Sequence, residues 1–168
     1  MLRRSLPGLV AIVILIVSPW AASSARADID NPRVFVQPLG TEAIEMLSNP
    51  RLSEADRTAA FRRILVGSFD LRSIGRFILG RHWRRATPEE RKEFDQLFED
   101  YVVATYASRL GQYHGETLIL GEARTDSAGD VFVSSEVVPR EGPRARVDWR
   151  VRGRAGDYKI IDVLVEGV

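Results

Sequence analysis

The chain has 168 residues with 24 basic and 23 acidic side chains, two histidines and no cysteine, a size that suits one domain with its own hydrophobic core. Lack of cysteine excludes disulfides, zinc–thiolate sites, a thiol nucleophile and a lipid-modified N-terminal cysteine. The near-neutral charge argues against nucleic acid as the partner, because holding a phosphate backbone needs a basic surplus.

Residues 1–27 read as an export signal. Arg3 and Arg4 precede an apolar run from Leu6 to Val17 broken only by Pro7 and Gly8, and Ala25-Arg26-Ala27 fits a small-residue cleavage site. The run is short for a membrane span of ~20 apolar residues and Pro19 follows it, so cleavage after Ala27 into the periplasm is expected. The remaining chain, 28–168, forms one domain in which 21 basic residues face 23 acidic ones, a net charge of −2.

The first half of that domain reads as helical. Asn31-Pro32 is an N-cap followed by proline at the first helical position, and the helix reaches Leu47, with Pro38 either kinking it or delaying its start. Ser53 and Asp56 form a capping pair for a second helix to about Phe69, with Phe61, Ile64 and Leu65 on one face. Asp70 caps a third helix, Leu71 to Leu79, which Gly80 stops. Thr87-Pro88-Glu89-Glu90 opens a fourth to about Tyr113, with Phe94, Leu97, Phe98, Tyr101 and Val102 along one side.

Beyond Gly115 the apolar period becomes two. Thr117–Arg124, Val131–Val138, Arg144–Arg152 and Tyr158–Glu166 read as four strands whose short connections imply antiparallel neighbours. In the third, Ala145, Val147, Trp149 and Val151 face one way, and Arg144, Arg146, Asp148, Arg150 and Arg152 face solvent. The fold class is α+β, with the preceding helices as the available cover for one face of the sheet.

Catalytic signals are weak. Neither His82 nor His114 belongs to an H-x-x-x-H pair, and no G-x-S-x-G elbow or phosphate-binding loop is present, so neither an enzyme nor a metal or organic cofactor is expected. Asp148 reads as a salt-bridge partner of a neighbouring arginine. Asp162, expected to share a face with Ile160 and Leu164, reads as a partly buried hydrogen-bonding group, and His82 beside Trp83 as a helix-end cap. The aromatic inventory is compatible with a filled core and with a hollow one.

Several segments in order resemble one family. Phe69 to Arg91 (FDLRSIGRFILGRHWRRATPEER), Phe94 to Tyr113, and the strand pair Val147–Val151 and Tyr158–Val168 are similar to the periplasmic phospholipid-binding proteins called MlaC, or Ttg2D (toluene tolerance). The resemblance covers essentially all of the domain. It implies a helical layer wrapping a curved antiparallel sheet of about four strands, with phospholipid tails in an apolar cavity between them and no chemistry performed. It also implies a monomeric carrier that shuttles lipid between an outer-membrane lipoprotein complex and an inner-membrane ABC transporter with an MCE-type subunit, maintaining outer-membrane asymmetry. A hopanoid-associated branch of the same family and a ligand-free adaptor of a membrane complex are the alternatives. On the faces assigned above, Phe77, Phe94, Phe98, Tyr101, Val147, Trp149, Val151 and Ile160 would line the cavity. Arg81, Arg84 and Arg85 would meet lipid phosphate or an acidic partner. The family pattern continues past Glu166-Gly167-Val168 into a serine-led, mostly helical segment; a chain that ends at Val168 would lack part of the cavity wall, whereas a longer chain of which this is a part would leave the fold reading unchanged.

Overall fold

The computed structural model describes residues 31–110, 115–154 and 156–167. The expected export signal with its cleavage site, Tyr113 and His114 lie outside the described residues. Five helices precede four strands: α1 (Pro32–Ser48), α2 (Glu54–Ser68), α3 (Leu71–Leu79), α4 (Arg81–Arg85), α5 (Pro88–Leu110), then β1 (Thr117–Thr125), β2 (Val131–Val138), β3 (Ala145–Arg152) and β4 (Lys159–Val165).

The helix starts are built by side chains that satisfy free backbone N–H groups. Asn31 Oδ1 accepts from the Arg33 N–H at 3.0 Å, Ser53 Oγ from Asp56 at 3.1 Å and Asp70 Oδ1 from Ser73 at 2.9 Å. Thr87 and Glu90 close a reciprocal capping box, each side chain accepting the other's N–H at 3.1 and 2.7 Å. Pro38 does not delay α1: the helix begins at Pro32 and runs through it. Helix α4 has no counterpart in the sequence-based expectation, since five residues are too few for a periodic signal. It exists because Gly80, at φ +52°, turns the chain sharply after α3 and Trp83 then buries itself beneath α5. Arg91 fixes that contact by donating Nε–H to the Trp83 carbonyl at 2.9 Å, its guanidinium 5.3 Å above the indole. His82 therefore sits within α4 and caps no helix end, while Gly80 ends α3 as expected.

The sheet is an antiparallel meander in the order β1-β2-β3-β4. Register aligns Val133 with Trp149 and Val163, and Val131 with Val151 and Ile160, on the face that meets the helices. A bulge interrupts the β3–β4 ladder: Val151 pairs with Ile160 but Arg150 pairs with Asp162, leaving Ile161 as the extra residue. Strict alternation fails there. Ile160 faces the core, whereas Asp162 lies on the opposite face, exposed, and accepts the Val163 N–H at 2.9 Å. The expectation that Asp162 shares the Ile160 face and is partly buried is thereby corrected.

The centre of the core is Val36, Val133, Val151 and Ile160, with Phe35, Leu39, Phe69, Trp149 and Val163 packed around it. Helix α1 covers β1 and β2, α3 meets β4, and α5 packs chiefly on α2 and α3. The helical layer is pinned to the sheet through Phe69, which bridges to Ile160, and through the Asp70 N–H, which donates to the Ile160 carbonyl at 2.9 Å.

Candidate functional site: an apolar sheet face under a helical cover

The helix-facing side of the sheet grades from closed to open. At the closed end Val151 and Ile160 are each only 1% exposed, sealed by Val36 and Phe69. Along the same face Val147 is still buried, Trp149 and Val163 are half-buried, and Val165 is 50% exposed. Trp149 occupies the transition. Its indole N–H donates to Ser135 Oγ at 2.8 Å, and the buried Ser135 hydroxyl donates in turn to the Val147 carbonyl at 2.9 Å. The indole's one polar atom is thus satisfied inside the sheet, and what the ring offers the helices is hydrocarbon. Ser135 belongs to this site and was missed in the sequence, where it is one of two consecutive serines; the inward phase of Val133 and Val137 on the same strand was the available signal.

Within the helical layer, Phe94 and Phe98 stack with centroids 5.6 Å apart and planes at 9°. They close on Gly75 of α3, where an added Cβ would lie 2.8 Å from the Phe94 ring and 3.3 Å from Phe98. This seam explains two departures from the sequence expectation. Because Gly75 is the residue α3 turns towards α5, Phe77, two positions on and about 200° around the helix, points away from it and is 86% exposed. Tyr101 follows Phe94 by two turns, yet it is 67% exposed, with Leu97, 60% exposed, one turn before it on the same strip. The structure therefore gathers Val147, Trp149, Val151 and Ile160 on one wall and Phe94 with Phe98 in a helix–helix seam, and leaves Phe77 and Tyr101 outside both.

Arg81, Arg84 and Arg85 all project from α4 into solvent. Arg84 lines an open groove of about 530 Å³ with Ser73, Arg76, Phe77, Gly80, Trp83 and Arg152. Among the described residues, none of Arg76, Arg81, Arg84 and Arg85 has a carboxylate within 4 Å.

The outer face of the sheet carries the charge. Asp130, 2% exposed, accepts from Arg152 at 2.7 and 2.8 Å and from Arg150 at 2.9 Å, and Arg150 also reaches Asp126 at 3.2 Å. The Arg152 hydrogen bonds, with those of Arg150, hold the Asp130 carboxyl below its ordinary range despite burial, which acts the other way. Asp148 bonds Arg146 at 3.0 Å, the salt bridge expected, although its carboxylate is buried rather than solvated. These groups hold the β-hairpins together. Among the described residues no cluster of histidine and carboxylate could hold a metal.

Comparison with known proteins agrees with this architecture. The toluene tolerance protein ttg2D of Pseudomonas putida is 25% identical over 172 residues, spanning 99% of this chain and 76% of that protein. The solved structure of the phospholipid-binding protein from Ralstonia solanacearum, in complex with a phospholipid, superposes with a TM-score of 0.71 at 22% identity, covering 82% of this chain and 79% of that one. At that identity the likeness is one of fold. The model of the MlaC protein family matches residues 37–168, all four strands and most of the helical layer included, and the chain belongs to that family.

Proposed function

We propose that this protein is a periplasmic phospholipid carrier that holds acyl chains against the open end of its helix-facing sheet surface. The observation that carries the reading is Trp149: half-buried, its only polar atom bonded to Ser135, it extends an apolar wall that the helices do not fully cover. Val147 and Trp149 are the cargo-facing residues of that wall, with Val151 and Ile160 backing them from the core and Phe94 and Phe98 bracing the cover. Family membership and the phospholipid bound by the Ralstonia relative support the same cargo class. Exposing one sixteen-carbon chain to water costs on the order of 12 kcal/mol, at ~0.8 kcal/mol per methylene, so a carrier has to shield tails while its charged head stays wet. That requirement calls for shape and hydrocarbon, not converging acids and bases.

The export signal supports action between the two membranes. The chain would there exchange lipid with an outer-membrane lipoprotein complex and an inner-membrane MCE-type transporter, with Arg81, Arg84 and Arg85 as cationic contacts. Native mass spectrometry of protein purified from periplasm, followed by organic extraction, tests the cargo: stoichiometric phospholipid is expected. Val147→Glu and Trp149→Glu, each checked for folding by circular dichroism, are expected to abolish it. Lipid retained in both folded variants would move the binding wall elsewhere, and a lipid-free wild type would favour a ligand-free adaptor.

A further inference from the structure

The corner formed by α3 and α4 sets two exposed apolar side chains among the arginines to which the carrier reading gives only a charge-contact role. From Leu71 to Ala86 there are five arginines and no acidic residue. Arg72 is engaged by Asp95 at 3.6 Å, and the acidic neighbours in sequence, Asp70 and Glu90, are both committed to helix caps. Glu89 is the one acidic side chain of the adjoining α5 turn outside such a cap. Arg76, Arg81, Arg84 and Arg85 remain exposed without a carboxylate within 4 Å among the described residues. Among them stand Phe77, 86% exposed, and Ile78, 60% exposed. Phe77 shares the groove of Arg76 and Arg84.

We propose that this corner docks the protein onto the surface of an anionic phospholipid bilayer. An interface of this kind presents phosphates above a hydrocarbon boundary, and the corner presents guanidiniums around a protruding ring. Arginine suits the position because its stem lies along apolar surface while its head reaches phosphate bidentately. The Gly80 turn joins α3 directly to α4, its N–H bonded to the Arg76 and Phe77 carbonyls, so the cations and Phe77 stand on adjoining turns of one corner. An acidic protein surface would match the charges. It would also need a pocket for Phe77, whereas a bilayer accepts a convex aromatic wedge without one.

The test is co-sedimentation of the full exported chain with protein-free vesicles of equal parts phosphatidylglycerol and phosphatidylethanolamine, against vesicles of phosphatidylcholine alone. Binding is expected to the anionic vesicles, weakened at about 1 M salt, where screening is short-ranged. Arg84→Glu and Arg76→Glu are each expected to weaken it about fivefold or more, and Phe77→Ser about tenfold. All three sites are exposed, and circular dichroism verifies folding. Equal sedimentation with both vesicle types, or none with either, overturns the proposal, and so does unchanged binding in all three variants. Binding that appears only when a membrane protein is added assigns the corner to a protein partner and overturns it as well. Cargo content read on the same wild-type sample keeps the two readings apart. Lipid-loaded protein that does not sediment sinks the docking alone, and protein that sediments without cargo sinks the carrier alone.

Discussion

The two ends of the helix-facing sheet surface share chemistry but not cover. At one end Val133, Val151 and Ile160 lie under Val36 and Phe69 with almost no exposure. At the other, Trp149 and Val163 are half-buried and Val165 is half exposed, although Val147 beside Val165 stays buried. Aliphatic strand residues alone do not distinguish a core from a binding wall. What differs is the neighbour: α1 and the start of α3 are bound to the closed end by packing and by the Asp70–Ile160 hydrogen bond, while α5 is held to other helices. A cover attached helix to helix can stand off a sheet without loss of backbone hydrogen bonds, whereas one stitched to a strand cannot.

The strongest way to break this contrast is to delete volume at each end. Ile160→Ala at the closed end is expected to cost about 3–4 kcal/mol, the range for a buried aliphatic truncation in a site that cannot collapse. Val165→Ala at the open end is expected to cost less than about 1 kcal/mol. Urea unfolding of both reads the difference, and equal losses would mean that the two ends are packed alike.

Next in size is the charged outer face, which separates hairpin stability from cargo. Asp130→Asn removes a carboxylate bonded to Arg152 and Arg150, for an expected loss of about 2–3 kcal/mol at neutral pH. Because the folded carboxyl is held below its unfolded value of about 3.9, this stabilisation is complete above that pH and drains away as pH falls through the folded value. The gap in thermal midpoint between wild type and Asp130→Asn should therefore narrow as the solution is acidified below about pH 4. A gap that stays constant on acidification would show that geometry, not ionisation, sets the loss.

Much of this frame was legible in the sequence because its signals are local. Ser53-x-x-Asp56, Asp70 and Thr87-x-x-Glu90 marked the helix starts, and the alternation of Val147, Trp149 and Val151 marked the inward face. The failures are non-local. Asp162 was assigned to the wrong face because a bulge needs knowledge of the partner strand, since only the Arg150–Asp162 pairing reveals the extra residue. Phe77 and Tyr101 were placed in a lining because helical period gives relative angles within one helix but not its roll against a neighbour. That roll is set by Gly75, a residue with no side chain to register in a hydrophobic pattern. Four of the eight lining candidates, all on the sheet, share a wall, since a strand's two faces leave less room for error than a helix's full circle.

Gly75 offers the smallest of these effects and the sharpest probe of how the cover is attached. In an exposed helix, glycine to alanine at such a position would gain about 1 kcal/mol from helix propensity. Here the new methyl would sit 2.8 Å from the Phe94 ring, which is itself stacked on Phe98 and cannot withdraw without disturbing that pair. Overpacking of this kind costs typically about 1–3 kcal/mol, so the net change expected for Gly75→Ala is a loss of about 1 kcal/mol. The strain falls between α3 and α5 and not on the sheet, so the Ile160 amide should keep its hydrogen-exchange protection while amides of α5 exchange faster. Faster exchange at Ile160 as well would mean that the helical cover and the closed end of the sheet unfold as one unit, and that the open end owes its exposure to something other than a separately attached cover.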